Sequence, residues 1–287
     1  MFSKTYKSTI KTIVRSPLTW AAVALMIGVA VYYVIIGGYG GYDPMTGEQF
    51  TDRDPRFVLV YGMYIQHFQN TIAREVMLIG VPLFCVIVSG IVLTRDWRDS
   101  FFEVEHAGNV KARSYFLGRF LAVFTILTFS ALFVYLFSFH LYIFTRGGVP
   151  DLSPWEYIFD SNIRLFRMFF ITAIPAILIF TGLTFLAGNL AKSGTIGTVV
   201  GVVYVLVLYL TNYNFKFRMP LIYQEYLVPT PRHLYQYWGY YDTEWFDVKW
   251  PHNPFSTGQM LLCLCILYSA ALLLVAGSYL CVRRRKI

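Results

Sequence analysis

Charge is scarce in this chain. Only 14% of its 287 residues are Asp, Glu, Lys or Arg, against roughly one quarter in an ordinary soluble domain. A soluble fold of this length needs more polar surface than that. With 56% hydrophobic residues and a mean hydropathy of +0.52, the chain falls among integral membrane proteins. Cysteine is scarce too. Cys85, Cys263, Cys265 and Cys281 all lie in apolar runs, which leaves no external disulfide framework. Cys263 and Cys265 are two apart on a helix, face different ways, and read as lipid-facing or packing residues rather than metal ligands. No basic patch stands on a soluble face, so nucleic acid is not an expected partner. A P-loop is also missing. "FLAGNLAKSG" ends in Lys192-Ser193, but Leu186 and Ala191 occupy the positions where the loop needs glycine.

What the chain does have is long apolar runs. A spanning helix needs about 20 mostly apolar residues. Six stretches qualify, near Thr19–Ile36, Val76–Leu93, Leu117–Phe144, Met168–Ala187, Thr195–Leu210 and Met260–Val282. The expected fold class is therefore all-α integral membrane, with six transmembrane helices. The first run is long and followed by "IIGGYGGYDP", which offers no convincing small-x-small cleavage site, so a cleavable signal is not expected.

Six spans put both termini on one side, and the positive-inside rule chooses which. The segments 1–17, 94–116, 188–194 and 283–287, with Arg119, hold 14 of the 24 basic residues and only four acids. The rest of the chain holds 10 basic and 12 acidic residues. Both termini are therefore expected in the cytoplasm, in a multi-pass protein of the cell membrane. The formal net charge of +8 is a topology signal.

Residues 1–17 place Phe2, Tyr6, Ile10, Ile13 and Val14 at helical spacing, with Lys4, Lys7, Lys11 and Arg15 on the remaining surface. This predicts an amphipathic helix lying in the membrane interface, ended by Pro17. Residues 18–287 form one six-span domain. Its external segments are expected near 37–75, 146–167 and 213–257. The first is rich in Gly and Pro turns, and its Asp43, Asp52 and Asp54 fit no calcium-loop spacing. In the second, Ser153 caps a helix with Pro154 at its first position. Pro175 is expected to kink the fourth span. The third is aromatic, and Tyr226, Tyr237, Trp238 and Trp245 are its candidates for pathway or external recognition. An aromatic interface belt explains the same residues.

The stretch "RDWRDSFFEVEHAGNVKARSYFLGRF", Arg95 to Phe120, carries nine charges between two apolar runs. "DWRDSFFEVEHAG" predicts a short helix, Gly108-Asn109 a stop, and "VKARSYFLGRFLA" the next helix. Acids and aromatics pinned between two spans make a docking knob for a soluble partner.

Here the chain resembles ABC type-2 transporter permeases. In that family a charged coupling helix joins the second and third spans and leads into a leucine-glycine-basic signature. Leu117-Gly118-Arg119 stands at the signature, and Glu103 where a coupling-helix glutamate is common. The order of parts is similar as well: an interfacial N-terminal helix, six spans, and an external segment before the last. Ser100-Phe101 departs from the frequent Gly-Thr and Asn109 from the frequent Pro. The resemblance implies a coupling helix near 95–109, with Arg95, Asp96, Arg98, Asp99, Phe101, Phe102, Glu103 and Glu105 contacting an ATPase. It implies separate ABC ATPase subunits that bind ATP and Mg, no cofactor in this chain, and a second permease chain, identical or related. The chain itself would be a transport subunit rather than an enzyme, in an exporter of hydrophobic or amphipathic peptides.

Two rivals come from other classes. An intramembrane enzyme needs facing polar groups within the spans, and His140 is the one ionisable residue well inside an apolar run. Such residues are functional suspects, but His140 has no carboxylate beside it in the sequence pattern. A channel or secondary transporter often carries midplane acids or broken helices, and these runs carry no central Asp, Glu, Lys or Arg.

Overall fold

The computed structural model describes residues 2–36, 41–42, 49–50, 76–98, 111–145, 154–213 and 257–284. Among the described residues, seven helices carry the fold. They are α1 (Phe2–Arg15), α2 (Pro17–Ile36), α3 (Val81–Arg98), α4 (Ala112–Thr145), α5 (Pro154–Leu190), α6 (Gly194–Tyr213) and α7 (Thr257–Arg283). A π-helical turn, Val76–Gly80, leads into α3. Between α2 and that turn, β1 (Gly41–Tyr42) and β2 (Gln49–Phe50) pair antiparallel, Gly41 opposite Phe50 and Tyr42 opposite Gln49.

Among the described residues, four helices are long and apolar enough to cross a membrane, over Pro17–Ile35, Ala112–Tyr142, Ala173–Leu190 and Leu264–Arg283. The chain thus has the make-up of an α-helical membrane protein. Helix α3 ends in a charged turn with Arg95, Asp96 and Arg98. Helix α6 is apolar over Gly194–Leu208. The outward faces agree with lipid as the surrounding solvent. Phe129, Phe133 and Phe144 on α4, Val199, Val203 and Val207 on α6, and Leu272 and Leu273 on α7 are all exposed. Soluble monomers rarely expose large apolar patches, whereas lipid accepts such side chains.

Helix α3 is central. It packs against α2, α4, α5 and α6 and is buried around most of its circumference, through residues such as Phe84, Val86, Val88, Val92 and Leu93, while Leu83, Ile87 and Ile91 form a half-buried stripe. A helix without a polar face must be enclosed or lipid-facing, and here neighbours enclose all but that stripe. Helix α2 gives it one stripe, Ala22, Met26, Ala30 and Val34, spaced four residues apart as one helical face requires.

The α3–α5–α6 contact depends on missing side chains. A methyl group on Gly90 would collide with the Thr198 hydroxyl, and one on Gly194 with the Thr94 backbone. At Gly197 it would lie 2.6 Å from the Thr184 carbonyl oxygen, and at Gly201 2.7 Å from Val86. In a bilayer, small residues let helix backbones approach, and dispersion then holds them. Helix α7 lies against α5, where the Asn189 amide donates to the buried Ser278 hydroxyl at 3.0 Å.

One expectation shifts in the structure, and another is met and extended. The helix of the second run continues past Leu93 to Arg98, so Arg95, Asp96 and Arg98 belong to α3 and not to a separate short helix. Helix α5 starts at Pro154 and runs unbroken through Pro175 to Leu190. The last part of the segment read as external, from 154 onward, is therefore continuous with the fourth apolar run. Its 37 residues span about 55 Å at 1.5 Å per residue, well beyond a hydrocarbon core of about 30 Å.

Candidate functional site

Of the charged residues that sequence reasoning singled out, Arg95, Asp96 and Arg98 are described, and they end α3 at the place where α1 and the start of α4 meet it. Arg119 stands two turns into α4, followed by an apolar run. An arginine there needs an acid partner or a route to water. It finds Asp96. Its Nη2 lies 2.7 Å from Asp96 Oδ1, and the two side chains are 1% and 5% exposed. The guanidinium carbon sits 5.0 Å from the centre of the Tyr115 ring, a cation–π distance. Nη1 donates to the Thr9 hydroxyl of α1 at 3.4 Å. One buried cation thus ties three helices together.

Helix α1 is held by this arrangement. Its inward face is Thr5, Thr9 and Ile13, one residue per turn. Phe2 and Val14, two of the apolar residues read as its membrane stripe, are exposed. The helix therefore presents Thr5 and Thr9 to protein together with Ile13, and keeps Phe2 and Val14 outward. Gly118 makes the seat, since a methyl group there would lie 3.0 Å from Thr5 Cβ and 3.3 Å from the Phe2 carbonyl oxygen. The Tyr6 hydroxyl donates to Thr125 Oγ1 at 3.2 Å. Arg95, half-buried, donates to the Thr12 hydroxyl.

Asp96 lies in the last turn of α3 and Arg119 two turns into α4, so the buried ion pair fastens the two helices together near the ends that the charged stretch 99–111 joins. Of the eight residues expected to contact a partner ATPase, Arg95, Asp96 and Arg98 are described. Arg98 is exposed and Arg95 half-buried, whereas Asp96 faces the protein interior. Asp99, Phe101, Phe102, Glu103 and Glu105 lie outside the described residues, as do Tyr226, Tyr237, Trp238 and Trp245.

His140 has a local role. Its Nδ1 donates to the Leu136 carbonyl oxygen at 3.0 Å, one turn back on α4, and its ring meets Phe139 edge-on at 5.7 Å. Among the described residues no three His, Cys, Asp or Glu side chains gather as metal ligands would.

Sequence reasoning counted Arg119 as a topology charge and as the basic residue of the Leu117-Gly118-Arg119 signature but not among the site residues, and missed Thr9 and Tyr115. The available signal was its position. A basic residue directly after Leu117-Gly118 in an apolar run calls for a nearby acid, and Asp96 ends the preceding run. Set against protein-family models and curated proteins, the chain matches none.

Proposed function

We propose that the chain is the membrane-spanning permease subunit of an ATP-driven exporter of the ABC type-2 kind. In this reading all six long helices, α2 to α7, cross the membrane and both termini are cytoplasmic. Two such chains, identical or related, enclose the path, and separate ATPase subunits bind ATP and Mg. The observation that carries the reading is the Asp96–Arg119 pair at the base of the α3–α4 connection, which also grips α1 through Thr9. A soluble partner that pushes on residues 99–109 would move α3, α4 and α1 together, because separating them means breaking a buried pair. Removing one partner of such a pair costs about 3–5 kcal/mol. ATP binding can drive the helices only if the partner favours one of their arrangements over another. A rigid attachment is what conveys that preference.

Docking itself falls to Asp99, Phe101, Phe102, Glu103 and Glu105, with Arg95 and Arg98 flanking them. Asp96 acts as a positioning residue. The cargo that best suits a path with no midplane charge is a hydrophobic or amphipathic peptide. Charge reversal of Glu103 and Glu105 together tests the docking surface. The variant chain should reach the membrane in normal amount yet retain several-fold less ATPase on affinity purification. Undiminished ATPase recovery with undiminished coupling would remove these residues from the interface.

A further inference from the structure

A groove of about 680 Å³ opens sideways between α2 and α3. Its walls change character along its length. The deeper part is apolar, made by Leu18, Ala21 and Leu25 of α2 and by Ile87 and Ile91 of α3. The end nearest α1 is polar and cationic. There Thr12 and Ser16 face Thr94, Arg95 and Arg98, while Thr198 of α6 lies a turn deeper, against Gly90. Asp96, the one acid on the last turn of α3, is engaged with Arg119 and does not line the groove.

We infer that this groove binds one anionic phospholipid, drawn from the leaflet on the α1 side of the bundle. The phosphate sits at Arg95 and Arg98, and an acyl chain lies along the α2–α3 wall. Three observations carry the assignment. The length fits, since Ile87 to Arg98 spans about 16 Å of helix at 1.5 Å per residue, and one leaflet contributes about 15 Å, half of a hydrocarbon core of about 30 Å. The polarity fits, because the apolar part lies deeper in the bundle and the two guanidinium groups lie at the end where α1 runs. Guanidinium is planar and matches phosphate oxygens in pairs. The wider field also fits. Lys4, Lys7, Lys11 and Arg15 lie along α1, whose last turns border the same end through Thr12, and clustered basic residues on an amphipathic helix draw in anionic lipid. The inference does not depend on the transporter reading, because it needs only a chain embedded in a bilayer.

The test is native mass spectrometry of the full chain in mild detergent. The probes are dioleoyl phosphatidylglycerol, dioleoyl phosphatidylcholine and free glycerol 3-phosphate. Phosphatidylglycerol should be retained at one per chain, roughly tenfold more tightly than phosphatidylcholine, since each basic residue near a membrane surface favours anionic lipid severalfold. Glycerol 3-phosphate should not be retained. Arg95→Ala with Arg98→Ala should abolish the preference, and Arg95→Lys with Arg98→Lys should keep part of it. Ala21→Trp, at an exposed groove position away from the charges, should reduce retention of both lipids and controls for folding losses in the arginine variants. Equal retention of the two lipids would overturn the assignment. So would an arginine variant that keeps the preference, or glycerol 3-phosphate held as tightly as lipid, which would mark a free-anion site. If Ala21→Trp leaves lipid bound but splits a dimer, the groove is a contact between two copies of the chain. No ATPase enters the assay, so failure here leaves the transport reading untouched.

Discussion

Asp96 and Arg119 are the residues on which most of the account turns, and they are open to a clean test. Asp96→Ala leaves a guanidinium buried without its carboxylate and is expected to lose about 3–5 kcal/mol of stability. The readout is a thermal unfolding curve of the purified chain in detergent. Asp96→Leu combined with Arg119→Met should recover most of that loss, because two apolar groups of similar size need no partner. A double-mutant cycle over these positions then gives the coupling energy. Near-additive losses would mean that the pair is not formed. A second residue stores local strain. Lys192, between α5 and α6, has φ 52°, the left-handed region that favours glycine. It ends α5, and the Ser193 N–H donates back to the Gly188 carbonyl at 3.0 Å, the six-to-one bond of a Schellman turn. Lys192→Gly should therefore raise stability by about 1 kcal/mol, seen as a higher unfolding midpoint at unchanged expression.

At the scale of elements, the glycines separate into two kinds, and substitution should move them in opposite directions. Gly118 seats α1 on α4, so Gly118→Val should cost about 1–3 kcal/mol through overpacking. It should also expose α1 to limited proteolysis. Gly28 has nothing within 4 Å of a would-be side chain and lies within α2. Gly28→Ala should stabilise by about 0.5–1 kcal/mol. Thermal unfolding of the two variants side by side checks both signs.

The elements also show how far the sequence could be read. Each of the six apolar runs lies within one helical stretch of the structure, because a backbone in hydrocarbon must satisfy its own hydrogen bonds and a long apolar run leaves it only a helix. Helix α1 was legible as a helix, but its inward face was not. Hydropathy ranks Phe2 and Val14 above Thr5 and Thr9, yet a neighbouring helix selects small side chains and hydroxyl partners. The fate of Asp96 was hidden for a related reason. Three charges close together, Arg95, Asp96 and Arg98, read as one polar cluster, whereas helical rotation turns Asp96 inward and Arg98 outward. Their continuation on α3 beyond the apolar run carried no signal in hydropathy. The residues of the charged connection were legible as a motif, while the clasp at its base depends on a pairing across 23 positions that no local pattern marks.

At the scale of the whole molecule, the described helices form a bundle whose charges concentrate at one end, where α1, α3 and α4 meet. Apolar faces on α4, α6 and α7 look outward, and the centre is packed closely enough that glycine is required in several places. Such a bundle has no energy source of its own in this reading, and the charged connection between α3 and α4 is where one would attach. The central claim is that a separate ATPase attaches there, and the most direct measurement is affinity purification of the tagged full chain from its native membrane in several mild detergents, with identification of stoichiometric partners. The account predicts a P-loop ATPase in constant ratio to the chain, lost selectively when Glu103 and Glu105 are reversed in charge. Recovery of the intact chain in every detergent with no ATPase at all would contradict it.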